Sequence, residues 1–231
     1  MNSFTFNGKS SADFGLIIDS KEIYSSPKRD MSLVSVSGRN GDVIIDNNRY
    51  TNVTVSYTVG IKNINDNIKM LKAWLLTPGY FVLNDTYNPE YFRIACFNSS
   101  LDVTELLINV GKAVISFSCK PFMYSYEGQN AIAVTSDTVI SNPEPFTSQP
   151  LLKVYGNGNI TFFINNNSYL IENVNSYVYV DCELMMAYKD TTLMNNNVKF
   201  TEFPILEVGD NAIALGNNCT SIEITPRWCT L

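Results

Sequence analysis

The chain has 231 residues, 45% hydrophobic and only 16% charged; this is too apolar for a disordered chain and predicts packed structure with room for two modest cores. Its formal charge is −6 with no run of Lys or Arg, so the phosphate neutralisation behind specific DNA or RNA readout is missing. No His occurs anywhere, which removes Ser-His-Asp and Cys-His nucleophilic sites, His-bearing zinc sites and the commonest general base at neutral pH.

The first twenty residues carry no basic flank ahead of an apolar stretch, and their longest apolar run is 16–18, so neither a secretory signal nor a membrane span is expected. Strands are expected at 3–6 and 15–18, with Asn7-Gly8 between them supplying the positive φ angles of a tight turn. Two more, at 31–36 and 43–45, flank the loop Ser37-Gly38-Arg39-Asn40-Gly41-Asp42. Residues 51–59 make the clearest strand, since Val53, Val55, Tyr57 and Val59 alternate with Asn52, Thr54, Ser56 and Thr58. One helix is expected over 64–76: Ile64, Ile68, Leu71 and Leu75 recur at helical spacing, Met70 and Trp74 widen the stripe, and Asn63 or Asn65 can cap its start. Thr77-Pro78-Gly79 stops it, and strands resume at 80–83, 91–97 and 112–119.

Residues 142–150 contain three prolines, each of which deletes a backbone donor and fixes φ, so no ladder or helix passes through. The segment is either the place to cut the chain or lies one strand inside a second domain, and the expected division is 1–138 and 139–231. A hairpin is then expected from 151–155 and 160–164 around Gly156-Asn157-Gly158-Asn159, with further strands at 168–171, 177–184, 198–200, 212–215 and 221–225. Short, closely spaced strands with Asn-rich turns predict a β-sandwich.

Asp181 and Glu183 lie two apart on the strand expected at 177–184 and so share a side, as a glycosidase acid and base might. The same alternation describes a solvated sandwich face, and that reading is preferred. Asp42, Asp46, Asn47 and Asn48 lack the Gly and distal Glu of a calcium loop and read as turn chemistry. The five Cys offer no C-x-x-C pair; Cys96, Cys119 and Cys182 fall on apolar faces as buried thiols, and Cys219 and Cys229 flank the last strand. No catalytic residue, metal or cofactor is expected, and the chain reads as non-enzymatic. The loop 37–42 is more suggestive: two glycines hold Arg39 and Asn40 beside Asp42, a shape suited to docking a neighbour through a bidentate Arg–carboxylate pair, with a mobile surface loop as the equal alternative.

The order of short motifs resembles that of the distal tail proteins (Dit) of long-tailed, non-contractile bacteriophages and prophages. In the first half the matching pieces are Phe4-Thr5-Phe6-Asn7-Gly8, Asp13-Phe14-Gly15-Leu16, Arg29-Asp30, the loop 37–42, Arg49-Tyr50-Thr51-Asn52-Val53, Leu71-Lys72-Ala73-Trp74-Leu75, Leu83-Asn84-Asp85 and Tyr91-Phe92-Arg93-Ile94-Ala95. In the second they are Asn142-Pro143, Lys153-Val154-Tyr155-Gly156-Asn157-Gly158, Asp181-Cys182-Glu183-Leu184, Phe203-Pro204, Gly209-Asp210-Asn211 and Pro226-Arg227-Trp228. Cys182 and Cys229 stand where the pattern has Ser and an aromatic residue. The resemblance implies a mainly β protein: an N-terminal β-sandwich or barrel-like domain with one helix, then a C-terminal galectin-like β-sandwich.

It further implies a homo-hexameric ring at the distal end of a phage tail tube, in the virion tail tip, synthesised and assembled in the cytoplasm of the bacterial host. The implied partners are the tail-tube protein, a tail-associated or baseplate hub protein and, in some phages, receptor-binding proteins, with no membrane insertion and DNA passing through the channel without specific binding. Arg29, Asp30, Gly38, Arg39, Asn40, Gly41 and Asp42 are the expected interface residues. Galectin-type sugar binding, the alternative role for the second domain as a cell-wall carbohydrate-binding module, is implied to need a His and a stacking Trp, and beyond residue 142 only Trp228 is present.

Overall fold

The computed structural model describes residues 2–21, 26–61, 68–98 and 112–231. The chain divides into two compact units, Met1–Met123 with Leu231, and Tyr124–Thr230. Both are mainly β, and among the described residues one α-helix occurs, too short to cross a membrane.

The first unit contains β1 (Phe4–Phe6), β2 (Lys9–Ser10), β3 (Leu16–Lys21), β4 (Arg29–Ser35), β5 (Asp42–Tyr50), β6 (Val53–Ile61), α1 (Ile68–Leu75), β7 (Phe81–Asp85), β8 (Tyr91–Cys96) and most of β9 (Lys112–Ser125). Its main sheet runs in the order β2-β1-β7-β8-β9-β6-β3, while among the described residues β4 and β5 pair only with each other. The alternation read in 51–59 is present: Val53, Val55, Tyr57 and Val59 are buried and sit opposite Cys119, Phe117, Ile115 and Ala113 on β9.

Helix α1 supplies Leu71, Trp74 and Leu75 to this core. The Trp74 indole stacks on Phe14 with centroids 4.5 Å apart and donates Nε1–H to the Phe6 carbonyl at 2.8 Å, so its one polar group is satisfied inside. Met70, expected to widen the apolar stripe, is instead 61% exposed, because one residue's step around a helix carries it off the face that Leu71 and Leu75 share. The expected caps Asn63 and Asn65, and Ile64, lie outside the described residues.

The second unit contains β10 (Ile132–Val134), β11 (Thr138–Asn142), β12 (Leu151–Gly156), β13 (Gly158–Ile164), β14 (Asn167–Val174), β15 (Tyr177–Asp181), β16 (Met186–Lys189), β17 (Thr192–Leu193), β18 (Gly209–Leu215), β19 (Cys219–Thr225) and β20 (Cys229–Thr230). It is a two-sheet sandwich, β10-β19-β12-β15-β16-β17 against β11-β18-β13-β14. Buried residues from both sheets, among them Leu152, Val154, Phe162, Ile171, Val178 and Ile224, fill the space between them.

Three sequence expectations change here. The division falls at 123/124 instead of 138/139, because β10 pairs with β19 and β11 with β18, which ties residues 132–142 into the sandwich. The proline segment is thus an internal loop, held by Asn142 Nδ2 donating to the Phe146 carbonyl at 2.9 Å and by Ser148 Oγ donating to Pro226 O at 2.7 Å. The expected hairpin of 151–164 is a corner, since β12 and β13 belong to different sheets. Gly156 makes that corner possible: a Cβ there would stand 2.0 Å from the Asn218 carbonyl oxygen. Finally, the strand expected over 177–184 ends at Asp181 and turns back into β16, with Met185 at φ 53°, while 198–200 contributes only a single bridge, Val198 to Ile171.

Candidate functional site

The segment from Arg29 to Tyr50 is a two-stranded arm, β4 antiparallel to β5, with a register shift between Arg29 and Met31. Its strands close because the tip supplies Gly38 at φ 82° and Gly41 at φ 80°, angles that a side chain resists, with the Arg39 amide donating to the Val36 carbonyl at 3.1 Å. At the root the Arg29 guanidinium grips Asp46 at 2.8 Å and lies over the Tyr50 ring at 5.1 Å, and Arg49 pairs with Asp30 at 2.6 Å. The hydrogen bonds from Arg29 hold the Asp46 carboxyl below the usual range, and those from Arg49 do the same for Asp30. The Thr51 amide donates to the Lys28 carbonyl at 2.9 Å and ends the arm.

Between root and tip the arm is apolar on both faces. Partners across an antiparallel ladder share a face, so Leu33 lies with Ile44 on one side and Val34 with Val43 on the other, where Ile45 joins them opposite Ser32. Met31, Leu33, Val34, Val36, Ile44 and Ile45 are all between 41 and 64% exposed. An isolated two-stranded ribbon is marginal in water, and six uncovered aliphatic side chains on it call for a covering surface.

The seven residues expected at an interface fall into two groups that the structure does not bring together. Arg29 and Asp30 stand at the root and are engaged in the cross-strand ion pairs, whereas Gly38, Arg39, Asn40, Gly41 and Asp42 stand at the tip, roughly 20 Å away along the strand. Arg39 and Asp42 are exposed and make no ion pair among the described residues. Sequence reasoning missed the aliphatic residues between them, although the runs Leu33-Val34 and Val43-Ile44-Ile45 on either side of a Gly loop are visible in the chain.

Asp181 and Glu183 are neither a solvated face nor a free acid and base. Asp181 is only 4% exposed and accepts a bidentate pair from Arg227, at 2.7 and 3.0 Å. Glu183, in the turn after β15, accepts from the Tyr124 hydroxyl at 3.3 Å and lies 3.7 Å from Arg227. Burial alone would raise the Asp181 carboxyl, but the Arg227 guanidinium and the Leu184 amide overcome it and hold the group below its ordinary value. Trp228, which the alternative role would need for stacking on sugar, is 4% exposed.

On the outward side of the six-stranded sheet, the Lys153 ammonium sits over the rings of Tyr155, Tyr177 and Tyr179 at 5.0, 4.8 and 5.3 Å. The Tyr155 and Tyr177 hydroxyls donate to Glu223 and Asp190, at 2.9 and 2.6 Å. This half-buried network occupies the face of β12 and β15 with its own side chains.

The sequence matches no family model and no curated protein. The structure is similar to the crystal structure of the SPP1 Dit protein (gp 19.1), described as a paradigm of hub adsorption apparatus in phages infecting Gram-positive bacteria, with a TM-score of 0.73. The two are 11% identical, and the match covers 97% of this chain and 98% of that one. The chain has the Dit fold. A match of nearly full length at so low an identity means that the fold is shared while most side chains differ. In this chain, pieces of the Dit-like order of motifs sit at a turn, a core position and a corner: Asn7-Gly8 with positive φ, Trp74 bonded to the Phe6 carbonyl, and Gly156 against the Asn218 carbonyl.

Proposed function

We propose that this chain is a structural phage tail protein that closes a hexameric ring at the distal end of the tail tube and links the tube to the tail tip. The observation that carries the reading is the end-to-end match to a Dit hub protein. The β4–β5 arm supports it, because an apolar ribbon exposed on both faces gains from a neighbouring copy that covers it. Covering one such side chain, already about half-buried, contributes about 1 kcal/mol, and a ring repeats that gain at every contact. The first unit would form the ring and the second its periphery, with the tail-tube protein above, the tail-associated or baseplate hub protein below, and receptor-binding proteins attached from the tip.

Electron microscopy and light scattering of the purified chain, alone and with its tail-tube partner, test this. A closed ring of six is expected, and Leu33→Ser with Ile44→Ser leaves monomers of unchanged fold. Long stacked tubes would instead make the chain a tube subunit, and an unassembled chain in the partner's presence would overturn the reading.

A further inference from the structure

The first unit holds a cavity of about 260 Å3 whose wall brings together Lys21, Tyr57, Asp85, Asn88 and Arg93. Asp85, at the end of β7, is saturated. Its Oδ2 accepts from Lys21 Nζ at 2.6 Å and from the Tyr57 hydroxyl at 2.7 Å, and its Oδ1 accepts from the amides of Tyr87 and Asn88 at 2.9 and 3.2 Å. Arg93, on β8, is half-buried and donates through Nη1 to the Pro121 carbonyl at 2.7 Å. Its remaining N–H groups find no hydrogen-bond partner among the described residues. Removal from water pushes its guanidinium pKa down, and the nearby Asp85 carboxylate only partly offsets this. Two side-chain cations therefore share the cavity with one side-chain carboxylate whose lone pairs are already taken.

We propose that this cavity binds a single carboxylate, held by the free N–H groups of Arg93 with Lys21 supplying the second positive charge. The cavity side chains carry one net positive charge, which a monoanion neutralises, whereas a phosphate dianion would place excess negative charge beside Asp85. A planar carboxylate also matches the guanidinium fork. The carboxylate is that of a small free acid or of an Asp or Glu side chain on a second copy of this chain. Nothing in this assignment depends on the tail role.

The test is a titration of the full chain with sodium acetate at constant ionic strength against chloride, reading the Arg93 side-chain Nε–H signal by NMR and the melting temperature. A saturable shift of that signal with a rise in Tm is expected; Arg93→Lys binds roughly tenfold more weakly, and Arg93→Gln does not bind. Leu231 lies on the same wall, so the titration is repeated on a chain extended beyond it, which keeps a main-chain carboxylate away from the cavity. The extended chain binds at least as tightly. Acetate that also dissociates assembled copies assigns the carboxylate to a second copy, and assembly untouched by saturating acetate assigns it to a free acid. An Arg93 signal that does not saturate, or phosphate binding tighter than acetate, overturns the proposal.

Discussion

At Asp181 two groups that sequence spacing offers as a catalytic pair are consumed by structure. The carboxylate is buried and doubly bonded to Arg227, and the neighbouring Glu183 completes the cluster with Tyr124. Asp181→Asn leaves the Arg227 guanidinium without its bidentate partner, and a loss of about 3 kcal/mol is expected in urea denaturation. Because the folded-state pKa of Asp181 is depressed, its contribution is fully present above the unfolded value near about 4 and drains away as pH falls through the folded value. The wild-type chain should therefore lose this increment on acidification, and the Asn variant should have none of it to lose. The thiols belong to the same scale. Burial pushes Cys119 and Cys229 up to about 12, so only about one in ten thousand of each is thiolate at pH 8, and both should resist a thiol reagent in the native chain and react at once when unfolded. Equal native and unfolded labelling rates would show that these sites open readily.

The elements divide into those whose reasons are local and those whose reasons lie elsewhere in the chain. β6 is legible because one face is wet and one dry, which writes a period of two into Val53, Val55, Tyr57 and Val59. Helix α1 is legible for the same kind of reason, and Trp74→Ala should cost about 3–5 kcal/mol, since the indole is buried against Phe14 and bonded to Phe6. β10 and β11 are not legible: they are short, lie beside a proline-rich loop, and exist because β19 and β18 offer them free edges. The corner at Gly156 resembles a hairpin turn in sequence, and only the Asn218 carbonyl pressed against its Cα reveals the crossing between sheets. Gly156→Ala should destabilise the sandwich by about 1–3 kcal/mol, checked by thermal unfolding, because the obstructing atom is backbone and cannot swing aside.

Among the described residues the two cores share none, and each contains one of the two Trp, Trp74 in the first and Trp228 in the second. Trp74→Phe and Trp228→Phe variants therefore report one unit each by fluorescence, and denaturant midpoints that differ between the two reporters are expected; coincident transitions would show the units to be one cooperative block. In the proposed ring, six copies at −6 each carry −36, and a lumen that kept part of that charge would repel DNA phosphates and let the genome slide. A lumen lined mainly by Lys and Arg in an experimental ring structure would contradict this.

By itself the sequence determined the class of the protein: strand-rich composition, alternation in 51–59, the Trp74 helix and turn-forming Gly and Asn at fixed places are local consequences of residue type, readable without knowing what packs where. Only the tertiary structure decided where the units divide, that Asp181 is locked by Arg227, that Arg93 faces a cavity whose carboxylate is already saturated, and that the residues flanking the 37–42 loop are uncovered on both faces. Each of these depends on residues tens of positions apart along the chain. No local pattern distinguishes an aliphatic run that its own core will bury from one left outside for another surface to cover.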